Sequence, residues 1–182
     1  MHSAWTPEYA SRVDAHRSIL LSRRVGTGAG FSVRRSVFES TGGFDESLPK
    51  AEDTEYMIRL SRDCDFVAVP DVLVKVHVHQ GPKLTAYDKG MAEAYERIME
   101  LHSDAIASDK TTLAAYHYKM GWLQYHSGNK RAARRHCLSV LRMRPTHAKT
   151  WVIMGMFELL GQRLAGRLHR SVSYLWQKRR KG

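Results

Sequence analysis

Glu52 and Asp53 form an adjacent carboxylate pair where a segment with helical spacing begins. A carboxylate held at the end of a rigid element suits general-base work, because it can take the proton from a hydroxyl as that oxygen attacks. Further on, His77 and His79 alternate with Val74, Val76 and Val78. In a strand that period of two puts both imidazoles on one side, so either can reach a single site. Upstream, Gly28-Ala29-Gly30 leaves room for backbone to come close to an acceptor molecule. Each feature also has a plainer reading. Acids in a first helical turn are favoured by the helix dipole at about 0.3–1 kcal/mol each. The histidines read equally as solvated strand residues, and Gly42-Gly43 as a helix stop. Asp45 reads as a turn or capping acid, and the Gly28–Gly30 loop lacks the βαβ setting of a dinucleotide fingerprint.

These residues need elements to hold them. Thr6-Pro7-Glu8 has the order of a helix start, and that helix is expected to run to about Ser22. Phe31-Ser32-Val33 predicts a short strand. Arg34 to Thr41 predicts a helix stopped by Gly42-Gly43, and Glu52 to about Arg62 predicts another. Phe66 to Pro70 and Val72 to Val78 predict two strands, and everything after Thr85 reads as helical.

Taken in order, Gly28-Ala29-Gly30-Phe31-Ser32-Val33-Arg34-Arg35, then Gly42-Gly43-Phe44-Asp45-Glu46, then Glu52-Asp53 resembles the family 2 glycosyltransferases of the GT-A type over about residues 20–82. The resemblance implies an inverting displacement in which an acceptor hydroxyl attacks the anomeric carbon of a nucleotide-sugar donor. It implies Asp53 as the base, Glu52 as an acceptor-positioning residue, and Gly28 and Gly30 on the acceptor side. It also implies a divalent ion, Mg or Mn, on the diphosphate, with His79 and then His77 as its ligands. A saccharide or a lipid-linked molecule would be the acceptor. Relatives carry a nucleotide-binding half with an Asp-x-Asp motif before this stretch. Asp63-Cys64-Asp65 has the letters but lies after the Glu-Asp helix, the wrong place for that motif. The chain is therefore expected to be an incomplete catalytic domain, inactive alone.

Residues 1–90 hold 12 basic and 12 acidic residues, whereas residues 91–182 hold 17 and 6, so the whole net charge of +11 lies in the second half. That break predicts two parts: an acceptor-side transferase region over residues 1–84 and a basic helical region over 85–182. The fold class expected is α/β, a partial GT-A half-domain, followed by an all-α region. In the helical region Gly121, Ala133 and Pro145 are spaced by 12 residues, and Gly155 follows Gly121 by 34. This resembles a tetratricopeptide repeat at about 114–158, with Gly128 at its turn. His117 departs from it, standing where that family has a large apolar residue.

Residues 163–181 interleave Arg163, Arg167, Arg170 and Lys178 with Leu164, Leu168, Tyr174 and Trp176. That pattern suits a helix lying on anionic lipid, or a last helix packed on the repeat with a solvated end. No segment approaches the roughly 18 apolar residues of a membrane span. Cys64 and Cys137 form no metal or redox motif, so a reducing cytoplasm is expected, with peripheral association at the inner membrane face. Basic charge without a nucleic-acid motif predicts no specific nucleic-acid partner. The competing reading is a non-catalytic interaction or membrane-surface module built on the repeat and the basic tail.

Overall fold

The computed structural model describes residues 12–21, 30–67, 69, 71, 73–74 and 88–159. Among the described residues eight helices follow one another: α1 (Arg12–Leu20), α2 (Arg35–Thr41), α3 (Glu52–Asp63), α4 (Lys89–Leu101), α5 (Ser103–Ala107), α6 (Lys110–His126), α7 (Lys130–Met143) and α8 (Ala148–Leu159). Contacts divide the chain into two units, one of residues 1–86 with 93–108, the other of residues 87–92 with 109–182. No helix among the described residues is long and apolar enough to cross a membrane.

In the first unit α1 packs on α3. Ala15, Ile19 and Leu20 are buried from α1, and Tyr56, Met57, Ile58 and Leu60 from α3. Helix α3 forms where its end charges favour it: Glu52, Asp53 and Glu55 lie in the first turn and Arg62 in the last. Its N-cap residue, Ala51, is held in the left-handed region at φ 59°. That conformation crowds Cβ against the carbonyl, at a cost of about 1–2 kcal/mol for an ordinary residue. Helix α2 ends at Gly42, whose φ of 76° with ψ of 176° suits a residue without Cβ.

The α/β expectation is overturned: no strand occurs among the described residues. Phe31, Ser32 and Val33 lie outside any strand, as do Phe66, Val67, Val69, Leu73 and Val74. The reason is pairing. A strand exists by hydrogen-bonding to a neighbour, and none of the described residues in these segments pairs with another. Val67 is 90% exposed and Leu73 73%, so no sheet covers these apolar side chains. The rest of the Val72–Val78 run, and the helix start at Thr6-Pro7-Glu8, lie outside the described residues.

The second unit is built on a helical hairpin. Asp109 caps α6, its carboxylate accepting from the backbone N–H groups of Thr111 and Thr112 at 3.2 and 3.0 Å. Asn129 caps α7 by accepting from Ala132 N at 3.1 Å. Between them Gly128 turns the chain at φ 92°. The two helices approach closely because position 121 lacks a side chain. A Cβ there would stand 2.9 Å from Cys137 Sγ and 3.4 Å from the Ala133 carbonyl oxygen. Helix α8 closes the core with Ile153, Met156 and Phe157, and the Phe157 ring stacks on Tyr125 with centroids 3.9 Å apart. Burial pushes the Cys137 thiol up to about 11, which makes it an inert packing residue. A Cβ at Gly155 would meet nothing within 4 Å among the described residues, so the later of the two spaced glycines makes no close helix crossing there.

Candidate functional site

Glu52 and Asp53 open α3 directly after the strained Ala51. Glu52 is exposed and Asp53 half-buried. Asp53 Oδ1 accepts from Thr54 N at 2.7 Å and from Thr54 Oγ1 at 3.3 Å, which limits how the carboxylate can turn. Gly30 is exposed. Gly28, His77 and His79 lie outside the described residues.

The loop after α2 is tied to α3 by one residue. The Arg59 guanidinium donates to the carbonyls of Thr41 and Gly43, at 2.7 and 2.6 Å. Its Nε faces both oxygens of Glu55 at 2.9 Å, and its Cζ lies 4.9 Å from the Tyr56 ring centroid. Around the same tyrosine, Phe31, Phe38 and Phe44 pack edge-on with centroids 6.0, 6.4 and 5.1 Å away. Two separate motifs, Gly42-Gly43-Phe44 and Glu52-Asp53, are therefore tied to the same helix. Asp45 accepts from Ser47 N at 3.0 Å and Ser47 Oγ at 2.6 Å. Those bonds hold its carboxyl below the usual range. It is a turn residue here.

Glu55, Arg59, Arg62 and His102 form a network that sequence reasoning missed. Glu55 is 2% exposed. Burial alone would raise its carboxyl, but hydrogen bonds from His102 and Arg59 outweigh that and hold it low. Arg62 approaches His102 Nδ1 at 2.8 Å, and His102 Nε2 approaches Glu55 Oε1 at 3.1 Å. A guanidinium only donates. Nδ1 then accepts, which leaves Nε2 to donate its hydrogen to Glu55. His16 adds a bond from its ring to Ser61 Oγ at 2.7 Å. Burial, with Arg62 and His102 nearby, lowers its proton affinity. The spacing Glu55–Arg59 is a sequence signal, since residues four apart share a helix face. His102, 47 residues from Glu55, carries no local signal.

Among the described residues no group of three His, Cys, Asp or Glu comes together to hold a metal ion. What the arrangement offers is a pair of carboxylates at a helix start, braced from behind by a buried ionic network. No curated protein and no solved structure matches the chain. The model of the family described as glycosyltransferase like family 2 matches residues 16–140, running past Glu52-Asp53 and on into α7. With well over half the chain inside that match, and the braced Glu-Asp helix within it, the chain belongs to the glycosyltransferase-like family 2.

Proposed function

We propose that this chain supplies the acceptor side of an inverting sugar transfer from a nucleotide-sugar to a hydroxyl. In this reading Asp53 takes the proton from the acceptor hydroxyl as its oxygen attacks the anomeric carbon, and the nucleoside diphosphate departs from the opposite face. Glu52, exposed beside it, orients the acceptor, with Gly28 and Gly30 lining its approach. The observation that carries the reading is the bracing of α3. Arg59 and Glu55 fix the helix against the Gly42-Gly43 loop, so the Asp53 carboxylate is presented from a rigid base. A divalent ion with His79 and His77 as ligands is part of the proposal for the complete enzyme, and a saccharide or lipid-linked acceptor fits it.

We place the protein at a membrane inner face, with residues 163–181 as a basic contact, and read α6–α8 as a tetratricopeptide-like unit. The close crossing at Gly121 supports the unit. The decisive experiment uses the protein as its native cell makes it, with or without further domains. Asp53→Asn is expected to lower turnover by roughly two to four orders of magnitude, leaving nucleotide-sugar affinity within a few-fold. Undiminished turnover in the variant rules Asp53 out as the base. The competing non-catalytic reading predicts no sugar transfer by the natural protein at all.

A further inference from the structure

Helix α7 carries Lys130, Arg131, Arg134, Arg135 and Arg142 and no acidic residue. All five cations are exposed. At 3.6 residues per turn, Arg131, Arg134, Arg135, Leu138 and Arg142 fall within about 100° of arc, on a row about 16 Å long. None of these cations makes an ion pair with a described residue. The contrast with the first unit is sharp, for there Arg35 pairs with Glu39, Arg59 with Glu55 and Arg97 with Glu100 on their own helices. Between residues 109 and 159 the acids are Asp109 and Glu158 alone, and Asp109 is spent on the α6 cap.

This arrangement is unfavourable by itself. Arg131 and Arg135 are like charges four apart, as are Lys130 and Arg134, and such pairs destabilise a helix. Lys130 and Arg131 also sit at the end where the helix dipole disfavours cations. A helix so built gains from an external anionic partner. Two further observations bear on which partner. Leu138, in the middle of the row, is 37% exposed. Past the end of α7, Trp151 is 56% exposed, its indole N–H donating to the Pro145 carbonyl at 2.8 Å. An apolar residue among cations with a fixed tryptophan beyond matches the boundary between headgroups and acyl chains. A single-stranded nucleic acid would favour several stacking aromatics along the row, and α7 has no Phe, Tyr or Trp.

We propose that the α7 arginine row, with Leu138 and Trp151, is a docking face for an anionic lipid bilayer. This deepens the membrane placement proposed above, rests on it, and is independent of the chemistry at Asp53.

The test is partition of the full chain onto vesicles of phosphatidylcholine alone or with 30 mol% phosphatidylglycerol, measured by flotation (an about 1-in-3 anionic surface). The natural sequence is expected to bind only the anionic vesicles, and less so as salt rises. One variant carries Arg131→Gln, Arg134→Gln, Arg135→Gln and Arg142→Gln. Each cation near such a surface is worth about fivefold, so this variant should lose on the order of a hundredfold or more. Its circular dichroism should be unchanged, because the four side chains are exposed. A second variant neutralises Lys178, Arg179, Arg180 and Lys181. If the row variant binds within twofold of the natural sequence while the tail variant loses binding, the row inference fails and the membrane placement survives. If the natural sequence binds neither vesicle, both fail. Tighter, salt-steep binding to single-stranded RNA than to the anionic vesicles overturns the row as a lipid face.

Discussion

The two units of this chain treat charge in opposite ways. In the first, Glu55 is buried and fully answered by Arg59 and His102. In the second, α7 shows a row of cations with no answer among the described residues, while the core beneath is apolar and aromatic. Charge that is matched inside one unit fixes geometry. Charge left unmatched on the surface of another invites a partner. The first arrangement suits a site that must hold still, the second a surface that must bind.

This contrast can be broken most severely at Arg59. Arg59→Ala leaves Glu55 buried with half its support and frees the Thr41 and Gly43 carbonyls. Removing one member of a buried ion pair costs about 3–5 kcal/mol. Urea denaturation followed by circular dichroism should show a loss of that order, and a loss below about 1 kcal/mol would mean the network is ornamental. The second unit's equivalent is steric. Gly121→Val puts atoms where Cys137 Sγ and the Ala133 carbonyl already stand, and overpacking of this kind costs about 1–3 kcal/mol. Melting should move down while a Cys137→Ala partner substitution restores part of it.

A smaller effect comes from His117 and His136, whose Nδ1 atoms lie 2.9 Å apart between α6 and α7. Burial lowers His117, and burial together with His117 and Arg135 lowers His136 to about 4. The folded state therefore binds fewer protons than the unfolded one. The pair's contribution is whole above the ordinary histidine value of 6.5 and is lost as pH falls from there towards about 4. Because both rings are only half-buried, solvent screening trims the effect to on the order of 1 kcal/mol across that window. His136→Phe should flatten the slope, and an unchanged slope would remove the pair as its source. The smallest effect is a gain. Arg131→Glu should stabilise α7 by about 0.3–0.5 kcal/mol through a better dipole and a new pair with Arg135. A fall in stability instead would show that the arginine is already neutralised in the fold.

Much of the helical half of the structure was legible in the sequence because its signals are local. Gly42 stops α2 where a glycine stop was expected, and α3 runs from Glu52 to within one residue of the expected end. The placement of Glu52-Asp53 in a first turn followed from the same signals. The lack of strands among the described residues was not legible. Val74, Val76 and Val78 alternate as a strand would, but alternation records only a tendency, and pairing depends on residues far away. The bracing of the site was hidden for the same reason. Glu55 and Arg59 advertise each other at four residues, whereas His102 meets Glu55 only through the fold. The family match to residue 140 likewise exceeds the 20–82 stretch in which the transferase motifs are concentrated, since no transferase motif was read in helices α4 to α7.

Ala51 has a consequence for anyone who would engineer this protein for heat tolerance. Glycine at 51 would relieve the left-handed strain and looks like an easy improvement. Yet that residue is the joint from which Glu52 and Asp53 are launched. Alanine restricts the joint, and glycine would let the first turn of α3 sample more directions. Thermal endurance and the aim of the carboxylates therefore pull against each other at a single methyl group.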